Sequence, residues 1–360
     1  MHLLWEKLVR PAMFRLDPER AHELGMTALR MGLAGKFGLS SASAERAFDS
    51  YGEIRRFGLT FKNPIGLAAG FDKNCTAVGE IARLGFASVE VGTVTLRPQP
   101  GNPKPRLFRL PEEKALINRL GFNNDGAEVV AERLKKIDIK GCVVGVNIGR
   151  NKDVPNEHAI ENYVRTFDLL SPFADYVVVN VSSPNTPDLR SLQQSENMEK
   201  LLASLQEHNI SKKPVLVKIA PDLTTPEIES IVDVCLRSGI AGVVATNTTI
   251  SRPGIPVDVA EIIGAGGLSG KPLEKLSTEV ISTIYRYSKG KLPIVGVGGV
   301  FTPDDAFDKI AAGASLIQAY TGFIYQGPSF AHEINNGLAK LLIEKGFGSL
   351  DEAVGSNVRT

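Results

Sequence analysis

A run of polar side chains follows an apolar segment near the middle of the chain. Residues 176–179 read Tyr-Val-Val-Val, and residues 180–186 read Asn-Val-Ser-Ser-Pro-Asn-Thr. Because buried polar groups need a hydrogen-bond partner or a ligand, such a run at the end of a buried strand indicates a binding site. Pro184 fixes its own φ angle and biases Ser183 towards an extended backbone, which holds the Ser183 hydroxyl in place for chemistry.

Helix capping is the alternative role for these polar residues. Ser182, Ser183 and Asn185 have the side chains that commonly cap helices, and a helical pattern begins near Leu189. This stretch alone does not separate the two roles. An active-site loop is favoured because similar polar groups recur at the ends of the other apolar runs.

The composition indicates a globular protein and excludes several classes. A chain of 360 residues with 43% hydrophobic content can bury a sizeable core. The formal net charge of +1 argues against a nucleic-acid partner held by bulk electrostatics. Cys75, Cys142 and Cys235 lie far apart without a CxxC pair, which argues against a disulfide framework and a zinc site. We expect a reducing compartment, no signal peptide and no transmembrane helix, since no apolar run approaches about 20 residues.

From Asn63 onward, short apolar segments of β type alternate with amphipathic helical segments. The predicted strands are residues 65–69, 88–91, 143–146, 176–179, 215–217, 242–245, 294–297 and 315–318. The helical segments between them include residues 129–137, 225–238 and 303–312. About eight β/α units in about 260 residues are typical of a closed parallel barrel. We therefore predict an α/β protein with a (β/α)8 TIM barrel over residues 63–360.

An open doubly wound sheet is the alternative fold. Such a sheet is expected to carry a glycine-rich fingerprint after its first strand. Residues 68–73 read Ala-Ala-Gly-Phe-Asp-Lys and do not match that fingerprint, so the closed barrel is favoured.

Two short helices are predicted ahead of the barrel. Apolar residues recur at helical spacing between Trp5 and Leu16, and the basic residues lie mostly off that stripe. Asp17 then provides an N-cap, and Pro18 occupies the first position of a second helix. We assign residues 1–35 to this two-helix extension and residues 36–62 to a linker and a segment at the bottom of the barrel. Periodicity alone does not distinguish a helical cap on the barrel from a pair of helices on a membrane surface.

The carboxyl ends of the predicted strands form one rim of the barrel, which is where barrel enzymes have their active sites. Nearly every strand delivers an amide, a hydroxyl, a lysine or a glycine to this rim. In strand order they are Ala68, Ala69, Gly70 and Lys73; Thr93; Asn147; Asn180; Lys218; Thr246, Asn247 and Thr248; Gly299; and Tyr320 and Thr321. Glycines after the seventh strand and residues 320–322 lie where such barrels bind phosphate, and residues 266–270 are close enough in sequence to join them.

Two lysines at strand ends suggest the type of chemistry. Lysine is costly to bury, so Lys73 and Lys218 are each expected to face an anion or a polarised group. No histidine lies in a strand-end motif and no acidic or histidine cluster has metal-ligand spacing, so we expect no metal. A phosphate site, amides for a planar ligand, a lysine and a hydroxyl base together favour flavin redox chemistry.

These motifs, in this order, resemble those of the dihydroorotate dehydrogenase family, specifically its membrane-associated, quinone-linked class 2. The resemblance runs from about Trp5 to the C-terminus and is carried by residues 16–22 (Leu-Asp-Pro-Glu-Arg-Ala-His), 68–73, 118–123 (Asn-Arg-Leu-Gly-Phe-Asn), 180–186, 218–222 (Lys-Ile-Ala-Pro-Asp), 246–249 (Thr-Asn-Thr-Thr), 266–270 and 296–299 (Gly-Val-Gly-Gly). It implies an FMN-dependent barrel that oxidises (S)-dihydroorotate to orotate in de novo pyrimidine (UMP) biosynthesis. It also implies that the electrons pass to a membrane quinone.

The resemblance assigns roles to individual residues of the polar rim. Ser183 matches the catalytic base that removes a proton from C5 of the substrate while hydride leaves C6 for flavin N5. The positions that match substrate-binding residues are Lys73, Asn118, Arg119, Leu120, Gly121, Phe122, Asn180, Asn185, Asn247 and Thr248. Because the soluble class of the family has cysteine in place of this base, serine at position 183 favours the quinone-linked class.

The flavin-contacting positions follow from the same resemblance. They are Ala68, Ala69, Gly70, Thr93, Asn147, Asn180, Lys218, Thr246, Ser269, Gly270, Gly299, Tyr320 and Thr321. Lys218 corresponds to a lysine near the part of the flavin that becomes negative on reduction.

The resemblance also favours the membrane role of the N-terminal helices. His22, Arg109 and Tyr320 match the polar end of a quinone tunnel, and Met13 stands in that tunnel where some relatives have a polar residue. A basic amphipathic helix pair that opens on the bilayer gives a lipid-soluble quinone a route to the flavin. We therefore expect a monomeric peripheral protein on the cytoplasmic side of a bacterial plasma membrane. A mitochondrial inner-membrane protein whose presequence has been removed is the alternative.

Two other functions compete with this one. A soluble FMN barrel could pass its electrons to fumarate or NAD, in which case the N-terminal helices would have no part in turnover. A non-catalytic barrel that senses a phosphate-containing ligand belongs to a different class, and it would be colourless when purified with care to retain its cofactor.

Overall fold

The computed structural model of the protein describes residues 4–33 and 51–358. Eight parallel strands close into one barrel, in which neighbours along the chain are also neighbours in space. We number them β1 to β8 in chain order: Ile65–Leu67, Ser88–Val94, Val143–Ile148, Tyr176–Asn180, Val215–Ile219, Gly242–Ala245, Ile294–Val297 and Leu316–Ala319. Strand β8 pairs with β1 and completes the closure. The predicted (β/α)8 TIM barrel is confirmed, and the open doubly wound sheet is wrong.

The observed strand bounds lie within three residues of the predicted ones. The largest difference is in β2, which extends three residues beyond the predicted segment 88–91. Strand β4 is buried along its whole length, including Asn180 at its carboxyl end. Parallel strands covered on both faces read as apolar runs, but their hydrogen-bond ladders continue into polar residues that point at the site. In β2 to β5 the apolar pattern therefore stops before the strand does, whereas β1 ends two residues before its predicted end.

Helices alternate with the barrel strands along the chain and pack around the barrel. In chain order the helical segments are Trp5–Val9, Arg10–Phe14, Pro18–Arg30, Val78–Arg83, Ala127–Leu134, Asn156–His158, Ala159–Leu170, Ser171–Phe173, Leu189–Gln193, Ser195–His208, Thr225–Arg237, Val257–Ile263, Lys271–Leu273, Glu274–Ser288, Pro303–Ala311, Thr321–Gln326, Phe330–Glu344 and Leu350–Ala353. The three predicted helices at 129–137, 225–238 and 303–312 are present with shifted ends. Capping boxes at Thr224 and Thr302 start two of them, because each threonine and the acidic residue three positions later bond each other's backbone N–H.

Two helices precede the barrel, as the sequence predicts. The consecutive segments Trp5–Val9 and Arg10–Phe14 form the first, and Pro18–Arg30 forms the second. Asp17 caps the second, since its carboxylate accepts hydrogen bonds at 3.1 Å from the backbone N–H groups two and three residues further on. Trp5 fastens the first to the barrel, because its indole N–H donates to the Tyr325 carbonyl at 2.9 Å. Gly327 leaves the space for this indole, since a Cβ there would lie 2.3 Å from the Trp5 ring. None of the helices in the described parts of the chain has the length and apolar character that crossing a bilayer requires.

The segment between the N-terminal helices and the barrel was predicted as residues 36–62. Residues 36–50 lie outside the described residues. Ile54–Arg56 and Leu59–Phe61 form an antiparallel hairpin. A Cβ at Gly242, where β6 begins, would lie 2.7 Å from the ring of Phe57, so the hairpin packs against the amino-terminal end of the barrel strands, opposite the predicted site.

A three-stranded antiparallel sheet lies over the other end of the barrel. It consists of Leu107–Leu110, Ala115–Asn118 and Gly267–Gly270. The sequence did not predict these strands, and residues 266–270 had been expected only as part of a phosphate loop. A strand of sequence Gly-Leu-Ser-Gly carries no apolar alternation, and it pairs with a partner about 150 residues away in the chain, Gly267 opposite Asn118. Such a strand exists only because the barrel brings the two segments together.

Candidate active site

The carboxyl ends of the barrel strands open into a cleft of about 1060 Å³, measured to its open mouth. The residues predicted for substrate and cofactor converge here. Those that line the cleft are Ala68, Ala69, Gly70, Lys73, Thr93, Asn118, Leu120, Gly121, Phe122, Asn180, Ser183, Asn185, Lys218, Thr246, Asn247, Thr248, Ser269, Gly270, Gly299, Tyr320 and Thr321. Side chains from seven of the eight strand ends thus share one cavity.

Ser183 is buried and faces this cleft. Its Oγ accepts a hydrogen bond of 3.2 Å from the backbone N–H of Asn185. The helix Leu189–Gln193 begins after Asp188 and has no side-chain cap. The alternative in which Ser182, Ser183 and Asn185 cap that helix is therefore wrong. The loop after β4 turns its polar groups into the cavity instead.

The amides at the rim are held by a chain of hydrogen bonds across four strands. The Asn180 Nδ2 group donates to Thr93 Oγ1 at 2.9 Å and to Asn147 Oδ1 at 3.2 Å. Asn247 Nδ2 donates to Asn180 Oδ1 at 3.3 Å and to Ser182 Oγ at 2.9 Å. Because each amide is fixed by its neighbour, the orientation of the donors and acceptors that face the cleft is set before a ligand binds.

Beneath these amides lies a carboxylate that the sequence analysis missed. Glu90 is 0% exposed in the middle of β2. Its two oxygens accept hydrogen bonds of 2.8 Å from Asn147 Nδ2 and Gln318 Nε2, and Lys218 Nζ lies 3.9 Å away. Burial lowers the pKa of Lys218, and the Glu90 carboxylate opposes that shift. A glutamate within an apolar strand pattern was the sequence signal that could have identified this pair.

Lys73 lies at the opposite side of the cleft, after β1. Its Nζ donates to Asn123 Oδ1 at 2.6 Å. Burial and the charge of Arg106 lower the pKa of Lys73 to about 7, against the opposing effect of Glu19. The ammonium therefore has one amide partner in a site that would accept an anion.

Arg119 and Asn147 are the two predicted substrate and cofactor residues that do not line the cleft. Arg119 donates to the carbonyls of Ile263 and Ala265 at 2.7 and 2.8 Å, and its guanidinium lies 4.6 Å from the centre of the Phe108 ring. Asn147 lies below the cleft, between Glu90 and the amide chain. Neither side chain reaches the cavity directly. Arg119 holds the backbone of residues 263–265, and Asn147 orients the Asn180 amide above Glu90.

The glycines after β7 form the part of the cleft where a phosphate was predicted. Gly299 has a positive φ of 72°, and a Cβ there would lie 2.7 Å from the backbone N of Glu274. Ser269 Oγ and Thr321 Oγ1 are 2.9 Å apart at the same end. Only glycine fits at position 299 because of both the backbone conformation and the close approach of the helix. Bare backbone and two hydroxyls suit a phosphate group.

A second cavity of about 1720 Å³ lies between the N-terminal helices and the barrel. Its walls are mainly apolar and include all four residues predicted for the quinone site, which are Met13, His22, Arg109 and Tyr320. Arg109 donates to the carbonyls of Met13, Phe14 and Leu16. Burial, together with the charge of Lys73, lowers the pKa of His22 to about 4, so its imidazole is neutral at pH 7.

The two cavities share a wall. Leu107, Leu116 and Tyr320 line both of them. The first cavity is rich in amides, hydroxyls and lysines, whereas the second is rich in aliphatic and aromatic side chains. A molecule in the polar cleft and a molecule in the apolar cavity are thus separated by one layer of side chains.

A buried ion pair joins the N-terminal helices to the polar cleft. Arg106 forms two-pronged hydrogen bonds of 2.9–3.2 Å with Glu19, and the two side chains are 9% and 13% exposed. The remaining Arg106 nitrogen, Nη1, donates to the carbonyls of Pro100 and Asn102. Asn102 in turn donates to the carbonyl of Arg119, in the loop that leads to Asn123. The second N-terminal helix is therefore fastened to the loop beside Lys73.

The chain matches a protein-family model over most of its length. The model described as dihydroorotate dehydrogenase matches residues 53–342. Among curated relatives, a protein of Anaeromyxobacter dehalogenans is 48% identical over 99% of this chain and 98% of its own, and a protein of Gloeobacter violaceus is 50% identical over 97% and 98%. Both are named dihydroorotate dehydrogenase (quinone).

A solved structure gives the same result for the fold. The crystal structure of DHODH from Eimeria tenella in complex with ferulenol has a TM-score of 0.86 and 38% sequence identity to this chain. The match covers 96% of each chain. The likeness thus extends beyond the barrel to the N-terminal extension.

We predict that Glu19→Gln lowers the free energy of unfolding by about 3 kcal/mol, because removal of one partner leaves a buried guanidinium without its counter-charge. Urea unfolding followed by circular dichroism measures the change. Glu23→Gln, on an exposed position of the same helix, is the matched control and should change stability by less than about 0.5 kcal/mol. Equal effects of the two substitutions would show that the Glu19–Arg106 pair does not fasten the helix.

Proposed function

The chain belongs to the dihydroorotate dehydrogenase family, and we propose that it is a quinone-dependent enzyme that oxidises dihydroorotate to orotate. The observation that carries the proposal is the shared wall of Leu107, Leu116 and Tyr320 between a polar and an apolar cavity. A water-soluble anion and a lipid-soluble quinone need different surroundings, and two cavities on either side of one layer provide them. A soluble dehydrogenase that uses fumarate or NAD has no need of the apolar cavity. A phosphate sensor has no need of a polar cleft beside an apolar cavity.

We propose that the cofactor is FMN. A flavin, when bound, supplies the hydride acceptor. The terminal phosphate of FMN fits the bare backbone at Gly299 and the hydroxyls of Ser269 and Thr321. Lys218, which lies in the floor of the cleft above Glu90, is suited to stabilise negative charge on the reduced ring.

For the substrate, we propose that Lys73 pairs with the carboxylate. The ring of dihydroorotate presents N–H and C=O groups in one plane, and the amides of Asn118, Asn180, Asn185 and Asn247 are suited to them. These amides line the same cleft as Lys73 and are cross-linked, since Asn185 Nδ2 donates to Asn118 Oδ1 at 3.3 Å. Preorganised donors of this kind reduce the cost of orienting the ring.

We propose that Ser183 is the base that removes the proton from C5. The hydrogen bond from Asn185 N–H to Ser183 Oγ fixes the position of the hydroxyl and favours its negatively charged form. A serine base must pass its proton on. Thr186 supports such a step, because its Oγ1 is buried without a hydrogen-bond partner among the described residues, three positions along the same loop. A water or a reoriented hydroxyl can bond there.

We propose that the N-terminal helices lie on a membrane surface and admit the quinone. Apolar side chains stand exposed on them, with Leu8 64% and Met31 73% exposed. Long apolar side chains on a basic amphipathic segment bury favourably at the headgroup boundary. We place the protein, as a monomer, on the cytoplasmic side of a bacterial plasma membrane, which the bacterial origin of the relatives supports. The mitochondrial inner membrane is the alternative.

Ser183→Ala is expected to slow reduction of the bound flavin by dihydroorotate by about 10²–10⁴-fold, the range for loss of a general base. Anaerobic stopped-flow absorbance of the flavin measures this step without any quinone. Orotate binding should persist, because the substitution removes none of the amides. A near-normal rate of flavin reduction would remove Ser183 from this role.

The affinity for orotate is expected to fall as pH rises above about 7. Lys73 is protonated below its pKa of about 7 and neutral above it, and only the ammonium pairs with a carboxylate. The Kd, read from the flavin absorbance change, should therefore rise by up to about tenfold per pH unit between pH 7 and 8.5. Lys73→Gln should abolish this dependence, whereas Lys135→Gln, at the exposed C-cap of the helix Ala127–Leu134, should leave it unchanged. The same pH profile in wild type and Lys73→Gln would contradict the pairing.

The double variant Leu8→Glu with Met31→Glu is expected to reduce binding to lipid vesicles by about tenfold or more, since each buried aliphatic side chain contributes about 1.5–3 kcal/mol. Turnover of a long-chain quinone in vesicles should fall in parallel, while turnover of a short water-soluble quinone stays the same. Neither residue lines the apolar cavity. Ile262→Glu, at an 84% exposed position on the barrel, is the control. Unchanged vesicle binding in the double variant would reject the membrane surface.

A further inference from the structure

Lys309 is a lysine with no exposed surface, in the helix Pro303–Ala311 that follows β7. Its Nζ donates to three oxygens, which are Glu274 O at 3.2 Å, Ser277 Oγ at 3.2 Å and Thr278 Oγ1 at 3.0 Å. All three acceptors are uncharged. A buried ammonium is expensive unless an opposite charge compensates it, so this lysine needs an explanation.

No carboxylate oxygen in the described parts of the chain lies within 4.0 Å of Lys309 Nζ. Two of the acids whose charges act on Lys309, Glu274 and Asp305, form ion pairs with Lys271. Their charges and that of Asp308 raise the pKa of Lys309, but burial outweighs them and lowers it to about 7. The protein therefore leaves this cation under-compensated.

The three acceptors lie in the first five residues of the helix Glu274–Ser288. The first turn of this helix packs behind the glycines that follow β7. A Cβ at Gly298 would lie 3.0 Å from the Ser277 Cβ, and one at Gly299 would lie 2.6 Å from the Glu274 Cα. Ser277 Oγ also donates to the carbonyl of Val297 at 2.6 Å. Two hydrogen bonds thus connect the ammonium to the last residue of the strand that ends in the cleft.

The same helix as Lys309 holds the other end of this segment. Asp305 accepts hydrogen bonds from the backbone N–H groups of Phe301 at 2.8 Å and Thr302 at 2.9 Å. Residues 297–302 are therefore fixed at one end through Lys309 and Ser277 and at the other through Asp305. The glycines between these two attachments have little freedom to move away from a ligand.

We propose that Lys309 is a positioning residue for the phosphate of the bound cofactor. Lys309 acts through the first turn of helix Glu274–Ser288 to hold Gly298 and Gly299 in place, and it contributes positive charge behind them. The inference rests on the proposed cofactor FMN, whose phosphate carries about −1.5 to −2 charges near pH 7. The N-terminus of a 15-residue helix adds a favourable field in the same direction. The phosphate adds negative charge to the partial compensation that Glu274, Asp305 and Asp308 provide.

The test is a competition between FMN and riboflavin, which carries the same ring without the phosphate. Full-length holoenzyme is equilibrated with mixtures of the two flavins, and the bound ratio is read by chromatography after the protein is denatured. Lys309→Met should lower the preference for FMN by about tenfold, the size of a moderately strong buried charge interaction. Lys309→Gln, which keeps a donor in the cavity and removes only the charge, should lower it similarly.

Lys275→Met is the matched control. Lys275 is exposed and lies in the first turn of the helix Glu274–Ser288, beside the oxygens that Lys309 contacts, and its replacement removes the same charge. Its FMN preference should equal that of wild type. If both Lys309 variants bind the two flavins in the wild-type ratio, or lose both equally, the lysine has a merely structural role and the proposal is overturned. If neither Lys309 variant folds, Ser277→Ala provides the test. Loss of its hydrogen bond to Val297 should also lower the preference for FMN over riboflavin. An unchanged ratio of the two flavins in this variant overturns the proposal. Identification of the flavin released by wild type tests the cofactor assignment separately.

Discussion

The carboxylate of Glu90 at the centre of the barrel is the interaction on which the site depends. A buried carboxylate without partners would be too costly to keep, so three other strands must deliver donors to it, Asn147 from β3, Gln318 from β8 and Lys218 from β5. Asn147 then orients the amides above it, and Lys218 reaches the floor of the cleft with its charge. One carboxylate inside a closed barrel thereby fixes the orientation of groups from several of its strands.

The second constraint is the separation of a polar cleft from an apolar cavity. The polar cleft and the apolar cavity meet only at the layer formed by Leu107, Leu116 and Tyr320. This arrangement offers an anionic molecule and a lipid-soluble molecule separate surroundings, one layer of side chains apart. Leu107 and Leu116 come from the antiparallel sheet that covers the barrel, so this accessory sheet is a functional part of the fold.

The second N-terminal helix does more than cover one end of the barrel. Glu19 on the second helix neutralises Arg106, and Arg106 binds the backbone beside the loop that carries Asn123, the partner of Lys73. Burial of both charges makes the contact specific, since neither partner is tolerated alone. The helix that lines the apolar cavity therefore also supports the Lys73 side of the polar cleft. The hydrogen bonds of Lys309 and Ser277 support the other end of the cleft, at Val297 and the glycines that follow it.

The sequence by itself determined the barrel, the strand ends and most of the cleft, because buried parallel strands leave an apolar pattern and the residue after each pattern must lie on one rim. The Asp17 cap was determined in the same local way. Only the tertiary structure decided the partners of Glu90, the Glu19–Arg106 pair, the burial of Lys309 and the strand Gly267–Gly270. These features join segments tens to hundreds of residues apart. Whether a charged side chain is buried depends on how the whole chain packs, and this burial leaves no local periodicity in the sequence.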